Sequence, residues 1–153
     1  SVQIGLDPPL VFFQDALQQR DVNAAAGLIG DLRGQREVRA VVFGDDQKAG
    51  SILVDAMHDA GAQRAATGEN AVVVNCRSAD IIVGPIGIVI ADALLGEITP
   101  AMATAVCQSS ATRVLIPVNH CENYIVGVPD QPIGSLVAAA VQKVKALCAG
   151  EGC

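Results

Sequence analysis

What most constrains this chain is a set of short β-branched runs that stay apolar on both faces, spaced by segments with helical periodicity. Residues 38–43 (Val-Arg-Ala-Val-Val-Phe), 71–74 (Ala-Val-Val-Val), 81–83 (Ile-Ile-Val), 114–116 (Val-Leu-Ile) and 124–128 (Tyr-Ile-Val-Gly-Val) read as five strands. A strand that does not alternate is buried on both faces, which is the situation of a parallel sheet covered by helices. The intervening segments supply those helices. Ala49, Ile52, Leu53, Ala56, Met57 and Ala60 fall on one helical face, with Asp45 or Asp46 placed to cap its start and Gly61 to close its end. Thr99-Pro100 is a helix start, with Met102, Ala105 and Val106 facing inward. Residues 133–148 carry the stripe Leu136, Val137, Ala140, Val141, Val144 and Leu147. The expected architecture is an α/β three-layer sandwich, a mostly parallel sheet with helices on both faces. A length of 153 residues makes it one domain over residues 1–153.

Residues 1–36 are atypical and are read as helical. Leu10, Phe13 and Leu17 fit one helical face after Asp7-Pro8-Pro9, and Ala25, Leu28, Ile29 and Leu32 fit a second. The alternative makes Leu10-Val11-Phe12-Phe13 a strand.

Charge and composition exclude several partners. The net charge is −6, and aromatic residues make up 3% with no Trp. A base-stacking platform needs more aromatic surface, and an acidic chain repels phosphate, so nucleic acid and anionic membrane are not expected as partners. The most apolar stretch, residues 81–91, is too short to span a bilayer and is broken by Gly84-Pro85. Five cysteines at irregular spacing, Cys76, Cys107, Cys121, Cys148 and Cys153, read as reduced thiols. The opening Ser-Val-Gln-Ile-Gly has no secretory pattern, so the expected localisation is cytoplasmic.

In an open parallel sheet, ligands bind beyond the carboxyl ends of the strands. That rule selects the exits Asp45 and Asp46, Asn75, Gly84-Pro85-Ile86-Gly87, and Asn119. An acid at the Asp45–Asp46 exit can bond ribose hydroxyls, or simply cap its helix. The N–H groups of Ile86 and Gly87 can cradle an anion, and a tight turn without a ligand uses the same residues. Thr67-Gly68-Glu69-Asn70 is a polar island between apolar segments. His120 beside Cys121 is the candidate catalytic pair, because an imidazole can draw the proton from a neighbouring thiol. The spacing of His120, Cys121 and Cys76 matches no recognised ligand pattern, so no metal site is assigned.

Four longer runs carry a family resemblance. They are Ala60-Gly61-Ala62 with Ala66-Thr67-Gly68-Glu69-Asn70; Ala79-Asp80-Ile81-Ile82-Val83-Gly84-Pro85-Ile86-Gly87-Ile88; Leu95-Gly96-Glu97-Ile98-Thr99-Pro100-Ala101-Met102; and Leu115-Ile116-Pro117-Val118-Asn119-His120-Cys121. Across residues 55–128 the chain resembles a bacterial domain-of-unknown-function family of small Rossmann-like proteins. The resemblance implies a Rossmann-like fold and a set of candidate residues, Glu97 among them, without an activity. Members of that family begin with a strand entering a glycine-rich turn, whereas Leu6 here leads into Asp7-Pro8-Pro9. Pro offers no N–H to a phosphate, and Gly27-Leu-Ile-Gly30 has the wrong spacing, so a dinucleotide bound in the usual way is not expected and the cofactor stays open, a nucleotide being one alternative.

The leading functional expectation is a small molecule or nucleotide bound at the carboxyl ends of the strands. The alternatives are a cysteine-dependent enzyme acting on a small acyl or phosphorylated substrate, and a homo-oligomeric module assembled through the apolar segment 86–95. The residues alone do not decide between an enzyme and a binding protein.

Overall fold

A computed structural model describes residues 10–15, 38–43, 55, 58, 59, 62, 64–117 and 123–149. Its centre is a five-stranded sheet built from β1 (Leu10–Asp15), β2 (Val38–Phe43), β3 (Arg64–Thr67), β4 (Ile81–Pro85) and β5 (Thr112–Ile116), in the order β3-β2-β1-β4-β5. Every neighbouring pair is parallel. Three helices have both bounds within the described residues, α1 (Glu69–Cys76), α2 (Pro100–Gln108) and α3 (Ile133–Cys148), with a 3₁₀ turn over Ile86–Val89 directly after β4. Asp55, His58 and Asp59 are helical and exposed, as the 49–60 periodicity predicts for the polar side of that segment.

Burial along β4 shows why the sheet needs cover on both sides. Ile81, Ile82, Val83 and Gly84 are all buried. Successive side chains of a strand point to opposite faces, so Ile82 faces away from Ile81 and Val83. Ile82 packs with Val72 and Cys76 of α1, Met102, Ala103 and Val106 of α2, and the wholly buried Ile88 and Ile98. Ala140, Val141 and Val144 of α3 are buried outside that cluster, and α3 packs against β5. The result is the expected α/β three-layer arrangement with a Rossmann-like parallel sheet.

Helices α1 and α2 lie side by side and are tied at both ends. At their amino ends the Thr99 hydroxyl donates to Glu69 Oε2 at 2.5 Å. At their carboxyl ends the Ser109 hydroxyl donates to the Cys76 carbonyl at 2.7 Å and accepts from the Ala111 N–H at 3.1 Å. The two helices therefore run in the same direction. Thr99 also accepts from the Met102 N–H at 3.2 Å, so it caps α2 as Thr-Pro predicts. The Arg113 guanidinium donates to the carbonyls of Val106 at 3.3 Å and Ser109 at 3.0 Å, closing the far end of α2.

Three readings of the sequence are corrected. Residues 71–74 belong to helix α1, and the strand of that region is Arg64–Thr67. Leu10–Asp15 is strand β1, so the helical reading of Leu10 and Phe13 gives way to its alternative. Residues 124–128 form no strand; Tyr124 is 86% and Val126 88% exposed, around a turn at Gly127. Asp7-Pro8-Pro9 and the second helical face, Ala25 to Leu32, fall on residues 1–9 and 16–37, which lie outside the described residues.

Candidate functional site

The sheet opens where its strand order reverses. β1 lies between β2 and β4, and its pairing with β2 continues to Asp15↔Phe43. Its pairing with β4 ends at Phe12↔Val83. Beyond that point Gly84 and Pro85 pair only with Leu115 and Ile116 of β5. Pro85 has no N–H to offer a strand on either side, and its extended backbone (φ −64, ψ 153) delivers the chain into the 3₁₀ turn. The β1–β4 ladder thus stops short of the carboxyl ends of both strands at the topological switch point, the place where open parallel sheets hold ligands.

One side of this opening is built by the 3₁₀ turn and the loop that follows. Gly87 and Ile88 are buried, and the Ile90 N–H donates to the Gly87 carbonyl at 3.0 Å. The loop then folds back on itself through Asp92 N–H to Ile98 carbonyl at 2.8 Å. Asp92, Leu94 and Leu95 have φ of 61, 57 and 59, left-handed values that L-residues adopt at a cost. Leu95 at the tip is 97% exposed. Glu97 is half-buried, two residues before the Thr99 cap.

The polar island lies over the other half of the sheet. Thr67 ends β3, an edge strand separated from β4 by β2 and β1. Gly68 turns the chain with φ 101 and ψ 166, a conformation that only glycine adopts readily. Glu69 and Asn70 are exposed in the first turn of α1, and the Glu69 carboxylate spans to Thr99 at the start of α2. The hydrogen bond thus carries the island from the β3 exit to the amino end of the helix that follows the β4 exit. An ionised carboxylate on a hydroxyl at 2.5 Å is a charge-assisted bond, and both helix amino ends favour the negative charge.

Two candidate residues lie elsewhere. Asn75 is not at a strand exit: it sits in the last turn of α1 and donates from Nδ2 to the Ala71 carbonyl at 2.8 Å. Cys76 follows it at the opposite end of α1 from Glu69, so it does not share a rim with the β5 exit. Burial pushes the Cys76 thiol up to about 11, which leaves it protonated and unreactive at neutral pH. Asp45, Asp46, Asn119, His120 and Cys121 lie outside the described residues. Among the described residues there is no group of three or more His, Cys, Asp or Glu able to hold a metal ion. No helix among them is long and apolar enough to cross a membrane.

Two residues of this region escaped the sequence reading as site elements. Thr99 is legible as a cap, but its bond to Glu69, thirty residues away, is not local information. Asp15 stands at the carboxyl end of β1, beside the opening, and the signal for it was the apolar run Leu-Val-Phe-Phe just before it. The chain after Asp15 reads Ala-Leu-Gln-Gln-Arg, with no glycine before Gly27.

No curated protein matches the chain. Among solved structures, the crystal structure of a shikimate 5-dehydrogenase from Mycobacterium fortuitum is similar at 16% identity with a TM-score of 0.42, over 88% of this chain and 56% of that one. The present chain thus spans about half the length of that enzyme. A family model described as Domain of unknown function (DUF3842) matches residues 27–149, most of the chain, and the protein belongs to that family.

Proposed function

We propose that this protein binds a small molecule, of which a nucleotide is the favoured class, beyond the carboxyl ends of β1 and β4. The observation that carries this reading is the end of the β1–β4 ladder at Phe12↔Val83, while each strand continues with its other neighbour. A ladder that stops at the switch point leaves backbone groups at the mouth of the opening instead of consuming them in the sheet. Gly84, Pro85, Ile86 and Gly87 form one lip, and Thr67, Gly68, Glu69 and Asn70 supply polar groups beyond it.

A dinucleotide held in the usual way is disfavoured by the residues after β1. That mode needs glycines for a tight turn and for close approach of the pyrophosphate, and none occurs between Asp15 and Gly27. A smaller ligand contacting the β4 lip fits better. The free thiols of Cys76, Cys107 and Cys148 agree with a cytoplasmic setting.

Thermal denaturation with AMP, ATP, NAD and an acyl coenzyme A tests the reading. A ligand present at about 100 times its dissociation constant stabilises the native state by about 2.7 kcal/mol. For a chain of this size that raises Tm by roughly 5–10 °C. At least one nucleotide is expected to do so, and a Tm unmoved by all four contradicts the proposal.

A further inference from the structure

We propose that the outward face of α1 and α2 is a contact surface for a second copy of this chain, arranged about a two-fold axis that sets α1 antiparallel to its counterpart. Across its centre the face carries no charge. Helix α2 (Pro-Ala-Met-Ala-Thr-Ala-Val-Cys-Gln) has no ionisable side chain except a thiol, and Glu69 is the one charged residue within α1. Asn70, Val74, Ala101 and Thr104 are exposed there, Val74 to 46%. Surface helices ordinarily turn charged residues to water.

The charges that flank this neutral centre have opposite signs at its two ends. Glu69 stands at the amino end of α1 and exposed Arg77 caps its carboxyl end. A two-fold axis across the middle of α1 brings Glu69 of each copy towards Arg77 of the other, and opposes the two helix dipoles. The same charge placement also suits the dipole of α1 within a single chain. The choice of a second copy as occupant rests on this self-complementarity. Two chains of net charge −6 repel each other over most of their surfaces, and they approach at least cost where the face is neutral and its ends are matched. Two helices of 8 and 9 residues make a small contact, so the association belongs to the weak, concentration-dependent class.

Sedimentation equilibrium of the full chain from about 5 μM to 500 μM tests this. The wild type is expected to rise from monomer towards dimer mass across that range. Thr104→Arg and Val74→Asp, each checked for unchanged circular dichroism and Tm at low concentration, are expected to weaken the dimer at least tenfold. Arg77→Glu gives a milder loss that increases at low salt. A wild type that stays monomeric throughout overturns the proposal. So does a dimer that both Thr104→Arg and Val74→Asp leave intact, because association then uses another face. The readout is mass, so it is independent of whether any ligand binds at the strand ends.

Discussion

The Thr99 hydroxyl donates to Glu69 Oε2 at 2.5 Å while accepting from the Met102 N–H at 3.2 Å, so one side chain both caps α2 and fastens it to α1. Removing it breaks two contacts at once. Thr99→Ala is expected to destabilise the fold by about 1–2 kcal/mol, and Thr99→Ser to retain most of that. Glu69→Ala should cost less, about 0.5 kcal/mol, because the carboxylate is exposed and water replaces its partner. Urea denaturation of the two single variants and the double variant gives the coupling, and a coupling near zero contradicts the latch.

The Ser109 hydroxyl plays the matching part at the other end, between the Cys76 carbonyl and the Ala111 N–H. Ser109→Ala leaves two backbone groups without that partner. A loss of about 1–2 kcal/mol is expected, additive with Thr99→Ala because the two ties lie at opposite ends of the helix pair. The same denaturation experiment reads it.

Gly68 links β3 to α1 at φ 101, with open space where a side chain would sit. The penalty for substitution therefore comes from the backbone alone. Gly68→Ala is expected to cost about 1–3 kcal/mol, whereas Gly134→Ala near the start of α3, which also has open space, should be neutral or stabilising by up to about 1 kcal/mol. Equal effects at the two positions contradict the assigned conformation.

Cys76 provides a pH signature. Burial raises its thiol from 9.0 to about 11, so the folded chain holds this proton more tightly than the unfolded chain does. The contribution to stability is complete below pH 9 and is lost as pH rises towards 11. The wild type should lose stability relative to Cys76→Ala across that window. At pH 8 a thiol reagent is expected to label exposed Cys107 in the native protein and Cys76 only after unfolding.

Comparison of particular segments shows what could be read directly from residues. Helices α2 and α3 were legible because each has local punctuation, Thr-Pro at one start and a long apolar stripe in the other. Strand β4 was legible because Ile-Ile-Val is apolar on both faces. The failure at residues 71–74 has a physical cause. Three successive valines favour a strand, but a short apolar run also suits a helix held between a sheet and another helix, and packing outweighs propensity. Arg64-Ala-Ala-Thr67 has little strand propensity and pairs because it lies beside β2. Asn75 was misplaced as a direct consequence. Of the candidate site, the Gly84-Pro85 exit and the Glu69 loop were visible in the sequence. The opening between β1 and β4 was not, because it depends on where a ladder between distant segments stops.

Amide NMR during titration with the nucleotide that most raises Tm tests the central claim most directly. The account predicts shifts concentrated at residues 84–89 and 67–70, at the carboxyl ends of the strands. Shifts concentrated instead at residues 76–80 and 109–112, at the opposite end of the sheet, would contradict it.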